Sequence, residues 1–224
     1  VGKIDDEKTE RVTEQSYGPL KALCEQAAEK AMPGRVANIR PGLIVGPGDD
    51  SDRFSYWPIR IASGGDVLAP GKPEWTMQYI DARDLADWIV HVIEAKITGV
   101  FNALGPKEPL AFGTLLETCK KVSGSNATFH WADTKFLEEH KVSAWGDMPA
   151  WMPASERLGR VPICSNAKAV AKGLTFRDPA VTIADTLAWH KERLATTKDY
   201  KLQAGIALER EKEVLGKLIA AKKG

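Results

Sequence analysis

A helix followed at once by an apolar strand is the feature that most restricts how this 224-residue chain can fold. Apolar residues recur at intervals of three and four from about residue 14 to residue 31, which predicts a helix with one buried face. The run Met32-Pro33-Gly34 ends this helix, and the segment over 35–40 predicts a buried strand with little charge. This strand runs into an apolar segment over 41–49 that a turn closes. Helix and buried strand in this order form half of a βαβ unit, so the sequence predicts an α/β fold.

Helices and strands continue to alternate along the rest of the chain. Asp81 can cap a helix over 82–96, and a strand is predicted over 99–105. A capping box formed by Thr182 and Asp185 predicts the start of a helix over 180–195. The other predicted elements are strands at 77–80 and 127–131, helices near 53–63, 109–122, 134–141 and 166–172, and an amphipathic tail over 206–223.

The composition restricts the partners that we expect. Lys and Arg total 31 and Asp and Glu total 30, so the net charge of +1 gives no broad field for nucleic acid or an anionic membrane. The three cysteines are far apart, which favours reduced thiols and a cytoplasmic location. The four histidines are scattered and show no metal-binding spacing, so no metal is expected. We expect a small-molecule substrate, and the sequence leaves a homodimer open.

Tyr17 and Lys21 are the residues with the clearest chemical meaning. Four residues along a helix place two side chains on one face, one turn apart. A free tyrosine has a pKa of about 10 and is a poor base, but a nearby ammonium favours the phenolate form of such a side chain. A tyrosine tuned in this way can give or take a proton while hydride moves to or from a nicotinamide.

The spacing of this pair is weak evidence by itself, because chance gives one Tyr-x-x-x-Lys in roughly a third of such chains. Its context is more informative, since the pair opens an amphipathic helix that leads directly into the apolar strand.

Four segments, taken in order, resemble the extended short-chain dehydrogenase/reductases, the NAD-dependent epimerase/dehydratase family. Tyr17-Gly18-Pro19-Leu20-Lys21 with Glu25 is similar to the family's YGxxK…E helix, and Arg40-Pro41-Gly42-Leu43-Ile44-Val45-Gly46-Pro47-Gly48 is similar to its RPxxVYGP strand end. The segments over 79–86 and 99–103 resemble its (F/Y)-(I/V)-x-V-x-D-(L/V)-A and G-x-(Y/F)-N patterns. The resemblance extends from residue 14 to about residue 195.

The resemblance implies a role for each matching residue. Tyr17 would be the catalytic acid or base, and Lys21 would hold the nicotinamide ribose and support the phenolate. The intact protein would be an NAD(P)-binding oxidoreductase with a Rossmann fold, of the reductase, epimerase or dehydratase type. Its cofactor would be NAD or NADP. Four consecutive residues would pass beside the nicotinamide and contact it mainly through backbone atoms: Pro41, Gly42, Leu43 and Ile44.

The chain departs from the family's pattern in three places. The Gly-x-x-Gly-x-x-Gly phosphate loop is absent, and no strand carries a catalytic Ser or Thr upstream of Tyr17. Met77 stands where nucleotide-sugar enzymes usually have an arginine, which favours a different small organic substrate. We therefore expect the C-terminal portion of an enzyme, lacking the N-terminal cofactor-binding half and inactive alone.

The resemblance also implies a division of the chain into two structural units. They are the C-terminal part of a doubly wound, Rossmann-type parallel sheet and a small α/β substrate lobe. The predicted segments are a cofactor-domain remnant over 1–49, a substrate-lobe segment over 50–75, a return to the cofactor domain over 76–104, the substrate lobe over 105–200 and a helical tail over 201–224.

Candidate substrate contacts follow the predicted nicotinamide strand. Arg53, Trp57 and Arg60 could meet an anionic or polar substrate, and Met77 occupies a substrate-contact position of the family. The aromatic residues Trp131, Trp145 and Trp151 fit either core packing or an apolar wall over the substrate. A non-catalytic RNA- or ligand-binding protein on the same scaffold is the alternative function.

Overall fold

The computed structural model describes residues 12–153, 163–197 and 200–222. The first eleven residues of the predicted segment 1–49 and residues 154–162 of the predicted substrate lobe lie outside these ranges. Within them, no helix combines the length and the apolar character that crossing a bilayer requires.

Helices and strands follow one another along the described chain. The helices are α1 (Glu14–Ala31), α2 (Tyr56–Ala62), α3 (Ala82–Glu94), α4 (Phe112–Ser123), α5 (Thr134–Glu139), α6 (Ala167–Val170), α7 (Pro179–Thr196) and α8 (Leu208–Ala221). The strands are β1 (Ala37–Pro41), β2 (Leu43–Val45), β3 (Asp66–Pro70), β4 (Thr76–Asp81), β5 (Gly99–Ala103), β6 (Gly105–Ala111) and β7 (Thr128–Ala132).

Parallel pairing dominates the described sheets. Strand β1 pairs in parallel with β5, β2 with β4, and β3 with β7, while β6 adds to β4 in the antiparallel sense. Parallel strands need crossover connections, and helices such as α3 supply them. The predicted α/β fold class is therefore confirmed.

Strands β3 and β6 were not predicted from the sequence. Strand β3 is a short apolar run between glycines and Pro70, and strand β6 contains Pro106 and Pro109. Proline cannot donate to a ladder and is confined largely to edge strands, and β6 lies at the edge of its sheet. The helix predicted over 109–122 consequently begins later, at Phe112.

The capping box predicted for α7 is wrong. Asp178 caps this helix by accepting a hydrogen bond from the backbone N–H of Ala180, and Pro179 opens it. Thr182 lies inside the helix and is buried. Its hydroxyl donates to Asp81 Oδ2 over 2.7 Å, so it is engaged in tertiary structure rather than in a cap.

Asp81 connects strand, helix and turn at the end of β4. It caps α3 as predicted, accepting from the backbone N–H of Arg83 over 2.9 Å, and it also accepts from the Arg83 guanidinium. A Cβ at Gly46 would lie 3.2 Å from Asp81 Oδ2, and Gly46 has φ of +110°, so this turn favours glycine. The Asp81 carboxylate therefore leaves little room for a side chain at position 46 of the turn that follows β2.

Asp81 should make the stability of the protein depend on acid pH. Burial alone would raise the pKa of Asp81, but hydrogen bonds from Arg83 and Thr182 outweigh it, and the pKa is lowered. A carboxylate with a depressed folded pKa stabilises the fold above the unfolded value of about 3.9, and this contribution is lost as pH falls through the folded pKa. We expect Asp81→Asn to flatten this part of the acid-pH dependence, measured by urea unfolding between about pH 7 and about pH 3. An unchanged dependence would contradict the assignment.

Glu211 joins the C-terminal helix to the body of the protein. Its side chain is fully buried and accepts from Arg60 Nε over 2.6 Å and from the backbone N–H of Leu68 over 2.9 Å. Helix α8 is thereby held to α2 and β3 through one carboxylate.

Candidate active site

The start of helix α1 holds Tyr17 in place. Thr13 caps the helix, and its hydroxyl accepts from the backbone N–H of Ser16 over 3.1 Å. The Ser16 hydroxyl in turn accepts from the backbone N–H of Thr13 over 2.8 Å, which completes a capping box. Tyr17 is the fourth helical residue, and its backbone N–H donates to the Thr13 carbonyl over 2.9 Å. The backbone that carries Tyr17 is therefore fixed by local hydrogen bonds.

Lys21 lies one turn after Tyr17, as predicted. Its ammonium is 5.9 Å from the centroid of the Tyr17 ring. The Tyr17 side chain is 57% exposed, so its hydroxyl is open to a ligand. The two side chains lie on the same face of α1, and their role as a proton-transfer pair stays a prediction.

An ion pair further along α1 attaches this helix to the sheet. Arg40 Nε on β1 donates to Glu25 Oε1 over 2.6 Å, and the second arginine nitrogen contacts the other carboxylate oxygen. The hydrogen bond from Arg40 lowers the pKa of Glu25. The bidentate geometry sets the orientation of α1 relative to the strand that leads to Gly42.

A cleft of about 510 Å³ opens beside Tyr17. It is bounded by Tyr17, the segment 42–51, Arg53, Ala82 and Trp145. The segment includes all of β2 and the turn that follows it. Strand β2 thus supplies one wall of the cleft and α1 supplies the tyrosine.

Most of the predicted cofactor residues lie at this cleft. Gly42, Leu43 and Ile44 line it. Pro41 and Lys21 do not: Pro41 precedes Gly42 in the chain, and Lys21 lies one helical turn after Tyr17. A Cβ at Gly42 would lie 3.1 Å from the Cβ of Leu104, so glycine allows β2 to approach the neighbouring segment closely.

Among the predicted substrate contacts, the structure brings Arg53 to the cleft but not Trp57, Arg60 or Met77. Trp57 is fully buried and donates from Nε1 to the Pro149 carbonyl over 2.6 Å. Arg60 is bound to Glu211, and Met77 is 7% exposed within the main apolar core. These three side chains are committed to packing or to internal ion pairing.

Trp145 is the tryptophan that reaches the cleft. It is 37% exposed, and its backbone has φ of +62°, an uncommon conformation for a residue with a side chain. Trp151 is buried, and Trp131 packs partly buried against the same core. Trp131 and Trp151 thus fit the core-packing interpretation, and an apolar wall over the substrate stays a prediction for Trp145.

Asp52 anchors the turn at the cleft from its buried side, and no local sequence pattern predicts this role. It is fully buried with φ of +53°, and its carboxylate accepts from the Tyr200 hydroxyl, from Arg193 over 3.3 Å and from the backbone N–H of Gln203 over 2.9 Å. Burial and the bond to Asp52 raise the pKa of Tyr200 to about 12. These partners lie 141 to 151 residues along the chain, beyond the reach of local patterns.

The fold and the cleft define a class of protein: an α/β protein with a tyrosine and a lysine on one helix beside a parallel strand. Residues 2–103 match the model of the NAD dependent epimerase/dehydratase family. The predicted resemblance to this family, part of the extended short-chain dehydrogenase/reductases, is therefore confirmed. No curated protein sequence matches the chain.

Solved structures of similar fold include three with a bound cofactor. RMD from Pseudomonas aeruginosa in complex with NADPH is 15% identical, with a TM-score of 0.57 over 86% of this chain and 63% of that one. UDP-glucuronic acid 4-epimerase from Bacillus cereus in complex with NAD is 16% identical, with a TM-score of 0.55 over 86% and 57%. A GDP-L-fucose synthetase from Naegleria fowleri bound to NADP is 16% identical, with a TM-score of 0.58 over 84% and 57%. The chain thus spans less than two thirds of each.

Proposed function

We propose that the protein is an NAD(P)-dependent enzyme of the reductase, epimerase or dehydratase type, acting on a small organic substrate. The single observation that carries this proposal is that Tyr17, with the Lys21 ammonium 5.9 Å from its ring, lines a cleft together with Gly42, Leu43 and Ile44. The family match and the cofactors bound to the similar structures support it. The division of the chain into a cofactor-binding part and a substrate lobe, as predicted from the sequence, belongs to the same proposal.

The residues of the cleft fit the nicotinamide end of such a cofactor. Ile44 is 43% exposed and offers an apolar surface to the cleft, which Gly42 also lines. A bound nicotinamide would supply the site from which hydride leaves or to which it returns. Lys21 would hold the ribose, and the wall of β2 would exclude water from one face of the ring.

Tyr17 would transfer the proton that accompanies hydride transfer. Its exposed hydroxyl would donate a proton to a substrate oxygen during reduction, or remove one during oxidation. The Lys21 ammonium would stabilise the negative charge that develops on the phenolic oxygen in the second case. The capping box at Thr13 keeps the helix start fixed through both directions of transfer.

The substrate that we propose is not a nucleotide sugar. Met77 replaces the arginine usual at that position of nucleotide-sugar enzymes, and its side chain is buried in the core. Turnover assays of the intact protein with NAD and NADP against small alcohols, ketones and acids, and against nucleotide sugars, test the proposal. Turnover of nucleotide sugars alone would reject this substrate class. RNA binding without cofactor-dependent turnover would instead favour the non-catalytic alternative.

We expect the 224-residue chain to bind NAD(H) and NADP(H) weakly. Its sequence contains no Gly-x-x-Gly-x-x-Gly loop, so the usual backbone donors to the pyrophosphate are absent. Each hydrogen bond to a charged group contributes about 1.5–3 kcal/mol, so several lost contacts weaken binding greatly. Calorimetric titration of this chain measures the affinity directly, and a micromolar dissociation constant would contradict the expectation.

A further inference from the structure

Arg53 presents unused hydrogen-bond donors to the cleft. Its Nε donates to the Ser51 hydroxyl over 3.1 Å, and its guanidinium carbon lies 5.8 Å from the centroid of the Trp145 ring. In the described part of the chain, no ion pair involves Arg53. Most other described arginines are paired: Arg40, Arg60, Arg83, Arg177, Arg193 and Arg210.

The acidic residues of the same turn are already engaged. The Asp49 carboxylate accepts from the Ser51 hydroxyl, from the backbone N–H of Ser51 over 3.1 Å and from that of Phe54 over 3.2 Å. Asp50 lies 3.3 Å from Arg193, and Asp52 is buried behind the turn. The positive charge of Arg53 therefore faces the cleft without a protein carboxylate bound to it.

Local contacts hold the guanidinium in position. The Ser51 hydroxyl accepts a hydrogen bond from Arg53 Nε, and the Trp145 ring lies beside the Arg53 guanidinium at cation–π distance. Trp145 is itself held, because its backbone N–H donates to the Met148 carbonyl over 3.1 Å. The two terminal nitrogens remain free to meet a planar anion side by side.

We propose that Arg53 binds the carboxylate of a small organic acid, and that this acid is the substrate presented to Tyr17. The inference rests on the proposed function and specifies its substrate class. A single arginine fork matches one carboxylate in shape and charge. Asp49 lines the same cleft with only neutral hydrogen-bond donors bound to it, and its charge opposes a polyanion such as a nucleotide diphosphate. Trp145 supplies an apolar surface for the organic part of the acid.

Binding of benzoate and of neutral benzamide to the 224-residue chain tests this proposal without cofactor or turnover. Both probes have the same ring, so their difference in affinity reports recognition of the carboxylate. Binding is followed through the indole N–H resonance of Trp145, assigned by its loss in Trp145→Phe, at low ionic strength. The variants are Arg53→Gln and, as a matched control, Arg35→Gln, which changes an exposed arginine outside the cleft lining.

We expect benzoate to bind the unmodified chain and Arg35→Gln about tenfold more tightly than benzamide, because only benzoate forms a charge-assisted pair. In Arg53→Gln, this preference should disappear while benzamide binding persists. Equal affinities for the two probes in the unmodified chain, or a preference unchanged in Arg53→Gln, would overturn the proposal. A saturable, Arg53-dependent preference for inorganic pyrophosphate over benzoate would overturn the carboxylate assignment. None of these results affects the Tyr17 chemistry, which turnover assays test separately.

Discussion

Tyr17→Phe is expected to lower kcat/KM for NAD(P)-dependent turnover by about 10²–10⁴-fold, because it removes the proposed general acid or base. The loss should appear mainly in kcat, since the phenyl ring still fills its place beside the cleft. Stability should change by no more than about 0.5 kcal/mol, because the side chain is 57% exposed. The measurement is steady-state kinetics of the intact protein with excess cofactor, alongside urea unfolding of the 224-residue chain.

Two lysines of the same helix provide a matched comparison for Tyr17→Phe. Lys21→Met removes the ammonium 5.9 Å from the tyrosine ring and should lower turnover as well. Lys30→Met changes an exposed lysine in the last turn of α1, away from the cleft, and should leave turnover unchanged. Full activity of Tyr17→Phe would contradict the proposed mechanism. Equal losses in the two lysine variants would indicate that helix charge, rather than the pair, matters.

The features that sequence predicted well are those set by neighbouring residues. Helix α1 was predicted with its observed bounds because apolar periodicity and the Met32-Pro33-Gly34 stop are both local. The role of Asp81 as a cap was also local, since a cap and its N–H donor are two residues apart. The capping box at Thr182 was wrong because a buried carboxylate from another element binds that hydroxyl.

Contacts between distant segments decided which site residues reached the cleft. Arg53 and Arg60 belong to one short stretch and looked equivalent in sequence. Arg60 is 151 residues from Glu211, its partner, and only the folded chain shows that this pairing removes it from the cleft. Trp57 faces the core because its ring packs edge-to-face against Phe112 at the start of α4, 55 residues further along the chain. Local patterns therefore predicted the tyrosine and its strand, whereas the substrate wall depended on tertiary packing.

Glu211→Ala is expected to destabilise the protein by about 3–5 kcal/mol, the cost of breaking a buried ion pair by removing one partner. The carboxylate is fully buried, and its loss leaves the Leu68 N–H and Arg60 Nε without the acceptor they now share. Urea unfolding measures the change, which should move the midpoint without changing the slope. Glu209→Ala is the control, because Glu209 lies on the same helix with its side chain 85% exposed.

A double variant separates the ion pair from the packing of helix α8. Replacing both partners, Arg60→Met with Glu211→Leu, removes both charges from the interior and should recover much of the stability lost in Glu211→Ala. The recovery is expected because the buried cation no longer needs a carboxylate, although the Leu68 N–H still lacks its acceptor. If Glu211→Ala were as stable as Glu209→Ala, the carboxylate would not hold α8 to α2 and β3. If the double variant were no more stable than Glu211→Ala, the loss would come from hydrogen bonds to Leu68, Gly64 and Asp66 rather than from the unpaired charge of Arg60.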